Sequence, residues 1–110
     1  MGFEQGENYQ IANSRNQTQT ITTTSVKISE MLRPGIREAI ILGNNSVGGQ
    51  VLTISIGTPS AANAGIVLLP GAVWSEYQDA RFDPTNDTIY CISSAAGGIL
   101  TIYERIKVIQ

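Results

Sequence analysis

Apolar residues in this chain occur in short runs broken by turn-forming residues, and none of the runs carries the period of a helix. Between Ile36 and Glu76 the breaks read Asn-Asn-Ser-Val-Gly-Gly, Thr-Pro-Ser-Ala-Ala-Asn-Ala-Gly and Pro-Gly. Glycine and proline at such intervals, between β-branched stretches, mark strands joined by turns. Val51 to Gly57 alternates, placing Leu52, Ile54 and Ile56 on one face and Thr53 and Ser55 on the other, the pattern of a strand with one face in a core. Arg37 to Gly43 is apolar on both parities, as a central strand buried on two faces should be. Ile66 to Leu69 reads as a short buried strand, and Pro70-Gly71 as a turn into Ala72–Tyr77.

The flanks follow the same logic. In Thr18–Ile28, Ile21 falls on odd parity while Val26 and Ile28 fall on even. A side-chain period of two then requires a break or bulge near Thr23–Ser25. Ser29 to Gly35 reads as a helical turn or packed loop, and Gln78 to Asp87 as an irregular loop stopped by Pro84. Thr88–Ser93 is a strand, Ala95–Gly98 a hairpin turn and Ile99–Ile109 the last strand. In that strand Leu100, Ile102, Ile106 and Val108 share a face that Glu104 interrupts, which predicts a bulge or an exposed end there. Gly43–Gly49 reads as a hairpin or bulged connection, since the lysine and following helix of a phosphate cradle are missing. About seven or eight strands at roughly ten-residue spacing give an all-β fold, a small antiparallel β-sandwich or jelly-roll-like domain.

The first 17 residues stand apart. They hold six Asn or Gln, and Met1, Phe3, Tyr9 and Ile11 as the only sizeable apolar side chains. Such a segment cannot offset its own ordering entropy. The expected organisation is an extended polar N-terminal arm over 1–17 and a β-sandwich domain over 18–110, with Phe3, Tyr9 and Ile11 anchoring the arm on a partner.

Composition sharpens the picture. Charged residues are 15% of the chain, well below the usual quarter, so Thr, Ser, Asn, Gln and Gly must supply the polar surface. Such a surface suits a protein that lies against other protein. The net charge of −2 and seven scattered basic residues argue against nucleic acid as a partner. No apolar run approaches the ~20 residues of a membrane helix. The first residues lack the basic and apolar regions of a secretory signal. The lone Cys91 sits in an apolar run, where a buried thiol is expected.

Chemistry is sparse. The chain has no histidine, which removes the commonest general base and metal ligand together. Asp79, Asp83 and Asp87 recur at four-residue intervals near Glu76, in a loop where Asp serves mainly to bond its own backbone. The reading expects no catalytic residue, no cofactor and no metal. One alternative is a glycan platform formed by Trp74, Tyr77, Asp83 and Asp87; its competitor is a core tryptophan. The three Asn-x-Ser/Thr matches, at Asn16, Asn44 and Asn86, are expected by chance in so Asn- and Thr-rich a chain.

From Arg37 onward the order of elements resembles a loose family of small β-sandwich accessory proteins of tailed-phage virions. In these, one strand ends in Asn-Asn-Ser, as Leu42–Ser46 does, and the next in Ile-Gly, as Ile54–Gly57 does. A small-residue loop then leads into Gly-Ile-x-Leu-x-Pro-Gly and an aromatic, matched by Ala64–Leu68, Pro70-Gly71 and Trp74. Ile89–Ser94, Gly97-Gly98 and Leu100–Glu104 match the family's closing hairpin. The acidic loop Gln78–Asp87 and the polar arm depart from the pattern. The resemblance implies a non-enzymatic virion structural protein, such as a capsid decoration or head-fibre component. It would be made in the host cytoplasm and would bind the major capsid protein or other virion proteins. By analogy with capsid symmetry it would form a homo-oligomer, with a trimer favoured. A carbohydrate- or receptor-binding module of a fibre or tail is the alternative. No catalytic residues accompany the resemblance.

Overall fold

Among the described residues eight strands form where β-branched and alternating residues cluster, and Asn44, Gly57 and Pro70 mark the ends of three of them. The structure, a computed structural model, describes residues 10–30, 35–77 and 86–109. The strands are β1 (Gln10–Ile21), β2 (Val26–Ser29), β3 (Gly35–Asn44), β4 (Leu52–Ile56), β5 (Ile66–Leu68), β6 (Val73–Tyr77), β7 (Ile89–Ser93) and β8 (Gly98–Ile109). They make two four-stranded antiparallel sheets, a long one ordered β1-β8-β3-β6 and a short one ordered β2-β7-β4-β5. Every connection except β4–β5 passes from one sheet to the other, the winding of a jelly roll.

That winding corrects two expectations. Ala95–Gly98 is not a hairpin turn, because β7 lies in the short sheet and β8 in the long one. Gly43–Gly49 likewise carries the chain between sheets. Tight turns with glycine serve both purposes, and only the sheet partners distinguish them. The break near Thr23–Ser25 has the same origin: β1 ends at Ile21, residues 22–25 cross over, and β2 begins in the other sheet. The boundary drawn at residue 17 falls inside β1, whose backbone pairs with β8 in one unbroken register from Gln10↔Ile109 to Ile21↔Gly98. The turn or loop expected over Ser29–Gly35 falls largely outside the described residues. Of its ends, Ser29 closes β2 and Gly35 opens β3.

Between the sheets lie Ile21, Ile28, Ile40, Leu42, Leu52, Ile54, Leu68, Ile89, Cys91, Leu100 and Ile102, with Val26, Ile56, Ile66, Ala72 and Trp74 packed against them. Each full burial of such an Ile or Leu contributes about 1.5–3 kcal/mol. The alternation of β4 is as expected, except that Thr53 is buried too. The β4–β5 loop folds back over it, with Asn63 N–H donating to Thr53 Oγ1 at 3.1 Å.

Two glycines separate conformational strain from steric exclusion. Gly71 (φ +86°) follows Pro70 in a turn closed by Ala72 N–H to Leu69 C=O at 2.8 Å, and a Cβ there would meet nothing within 4 Å. Gly65 (φ +148°) would place a Cβ 2.5 Å from the Ile54 carbonyl oxygen, a backbone atom that cannot step aside. Gly71→Ala should therefore cost roughly 1 kcal/mol from its positive φ alone. Gly65→Ala should cost clearly more, as chemical denaturation of the two variants will show.

Candidate functional site

The sandwich has two unlike ends. All described charged residues belong to the half where Ser29, Arg37 and Glu104 meet. Segments 44–52, 69–73 and 93–100, which make the opposite end, hold none.

At the charged end a carboxylate lies inside the fold. Glu104 is 2% exposed and stays in the inward row of β8 with Leu100 and Ile102. The bulge expected at Glu104 lies instead on the neighbouring strand. There β3 shifts register between Arg37↔Ile106 and Ala39↔Arg105, so Glu38 is the extra residue. A second bulge in β2 falls between Lys27↔Tyr90 and Ser29↔Ile89, with Ile28 extra. Each bulge reverses the parity of the strand beyond it, turning Arg37 and Ser29 to the interior. Arg37 Nε donates to Glu104 Oε2 at 2.6 Å, and its Nη2 donates to Ser29 Oγ at 2.5 Å. Ser29 Oγ in turn donates to Glu104 Oε2.

The cluster joins the layers. Ser29 belongs to the short sheet, Arg37 and Glu104 to the long one. Arg37 also donates from Nη1 to the Asp87 carbonyl at 3.2 Å, and its backbone N–H donates to Asn86 Oδ1 at 2.9 Å. Arg15 reaches in from β1, with Nη2 3.1 Å from Glu104 Oε1 and 2.9 Å from the Ile28 carbonyl it donates to. Burial, the strongest influence on Glu104, favours its neutral form. The hydrogen bonds from Ser29 and Arg37 and the charges of Arg37 and Arg15 outweigh it, and the carboxyl lies below its ordinary value.

Asn44 organises the uncharged end. Its Nδ2 donates to the Gln50 and Leu68 carbonyls at 2.9 and 2.8 Å, and its Oδ1 accepts from Ser46 N–H at 3.0 Å. Its backbone pairs with Gly71 and Ala72. These bonds hold a tip on which Val47 is 91% exposed and Leu69 60%. From the tip the outer wall of the long sheet runs back in two rows, Thr18–Thr101–Gly43–Val73 and Asn16–Tyr103–Ile41–Ser75. Among the described residues, charge returns to this wall where Arg105 and Lys107 pair with Glu38 at 2.9 and 3.2 Å.

The residues singled out in the sequence scatter. Trp74 and Tyr77 stand on opposite faces of β6, Trp74 packed against the core and Tyr77 55% exposed, so they form no common platform. A separation of three along a strand forces this. Asp87 is exposed, while Asp79 and Asp83 lie outside the described residues, as do Phe3 and Tyr9. Ile11 is part of β1, its backbone paired with Val108. Of the three Asn-x-Ser/Thr matches, Asn44 is buried. Cys91 is buried, and burial pushes its thiol up to about 12. Sequence reasoning missed Arg37, Ser29 and Asn44. Their only signals were a cation opening an apolar strand and parities that did not close.

No protein-family model matches the chain, and no curated protein does. Among solved structures, the fold is similar to that of a chain described with Bacillus endospore appendages, a novel family of disulfide-linked pili. The TM-score is 0.65 at 19% identity, over 99% of this chain and 96% of that one. The likeness shows a shared fold.

A carboxyl whose folded-state value is depressed adds stability above its ordinary value and loses it as pH falls through the folded-state value. The wild type should therefore lose stability on acidification below about pH 4. Glu104→Gln should be less stable at neutral pH by roughly 3–5 kcal/mol, because the carboxylate that faces the buried Arg37 is removed. It should also show the flatter acid limb in denaturant titrations across pH.

Proposed function

We propose that this protein is a non-enzymatic structural subunit of a larger assembly, working through its outer walls. One observation carries the reading: an end without charged residues, its tip held by Asn44 and displaying Val47, Leu69 and Val73, while the described charged groups lie toward the other end. Exposed apolar residues gathered on a polar, uncharged surface suit contact with protein. In the form suggested by the sequence, the assembly is a virion and the subunit a capsid decoration or head-fibre component. It binds the major capsid protein or other virion proteins and forms a homo-oligomer.

A second reading, a subunit of an extended surface appendage, is favoured by the almost end-to-end likeness to the endospore appendage chain. That relative is described as disulfide-linked. Here the sole cysteine is buried, so contacts between copies of this sequence would not be disulfide-linked through it. Electron microscopy of purified particles and of cell-surface filaments, with the chain located in the density, separates the two readings.

Val47→Asp changes a side chain that is 91% exposed and should alter folding stability by no more than about 0.5 kcal/mol. Docking on the purified assembly should weaken roughly tenfold or more, measured by co-sedimentation. Undiminished docking would remove the uncharged end from the interface. Reducing agent should leave the assembly intact.

A further inference from the structure

Sheet edges recruit other strands unless they are short, charged, kinked or covered. Three of the four edges here are protected. β5 runs only Ile66–Leu68, β2 runs Val26–Ser29 with a bulge and Lys27, and β6 runs Val73–Tyr77 with Glu76. Among the described residues β1 is the least defended edge: it is the longest of the four, and its single inward charge is its only defence. It extends from Gln10 to Ile21 without a register shift, holds no proline, and its one charge, Arg15, turns inward to Glu104. Among the described residues its partner strand is β8 alone.

The geometry points to β1 as a homotypic interface, on which a second copy of this chain lays its own β1 antiparallel. The two long sheets then merge into one. Faces restrict the register. From residue 13 to 21 the odd positions of β1 face inward, as Arg15 and Ile21 do, and the even positions face the outer wall. Residues directly opposite must share a face, so the paired residue numbers sum to an even value. A sum of 30 would set Arg15 against Arg15 of the second copy, and like charges directly opposite are destabilising. A sum of 32 puts Asn16 on the two-fold axis, Arg15 opposite Gln17, Ser14 opposite Thr18 and Asn13 opposite Gln19. Every one of these pairs is polar and none repels.

The full length of β1 favours this occupant over the opposite edge of another copy, because β6 could cover only five residues. A two-fold axis normal to the sheet keeps the outer walls on one side, doubling the uncharged surface proposed for docking. The inference extends the assembly reading but stands on separate residues.

Asn16→Cys tests it, since Cys91 is buried and does not compete. Mild oxidation should link Asn16→Cys into a covalent dimer, while Thr18→Cys, whose sulfurs lie several residues apart in this register, should stay monomeric. Analytical ultracentrifugation should show a concentration-dependent wild-type dimer. Gln17→Lys, which faces a lysine to Arg15 of the second copy twice, should raise its dissociation constant roughly tenfold, with circular dichroism unchanged. A wild type monomeric at every concentration, or equal crosslinking at positions 16 and 18, overturns the inference. A monomer that still docks through Val47 sinks β1 pairing alone, whereas a dimer that docks on nothing sinks the assembly reading alone.

Discussion

The structure depends on a carboxylate placed where a sandwich ought to be apolar. Glu104 occupies a core position of the longest interior strand, and an unpaired charge there would be prohibitive. Its neutralisation requires Arg37 and Ser29 to face inward, and regular pleating would not aim both of them there. Two bulges, one per sheet, correct the aim. The irregularities of β2 and β3 are thus the geometric condition for closing one end of the fold. A buried ion pair is weak evidence for net stability; here its evident work is alignment. It fixes how the short sheet sits on the long one and ties the start of β7 to β3 through Asn86 and Asp87.

The other end solves the same problem with neutral groups. Asn44 satisfies the Gln50 and Leu68 carbonyls and the Ser46 N–H without any charge. The molecule therefore separates its polarity along its length. Ions hold one end together, and amides shape the other as a stiff neutral surface. This division is what the proposed role in contact with other protein rests on.

Strand positions and facing were legible because they are local. Leu52, Ile54 and Leu100 declare their faces by alternation, and the parity switch between Ile21 and Val26 revealed a crossover. What could not be read was partnership. Pro70-Gly71 and Gly97-Gly98 turn a chain equally well within a sheet or between two, so the jelly-roll winding was hidden in turns that resembled hairpins. Arg37 and Glu104 are distant in sequence, and neither residue alone signals that they meet. Alternation alone places Thr53 outside, because the loop that covers it has no periodicity of its own. Trp74 and Tyr77 looked like a pair until strand geometry set them on opposite faces.

The pairing of the first strand with the last has a temporal consequence. β1 gains its neighbour in the long sheet only after residues 98–109 have left the ribosome. Until then its backbone groups are satisfied by water or chaperones, and the aligned outer edge does not exist. Such long-range closure is slow. A nascent chain thus presents no finished β1 edge, and the β1 pairing proposed above has to wait until synthesis has passed β8.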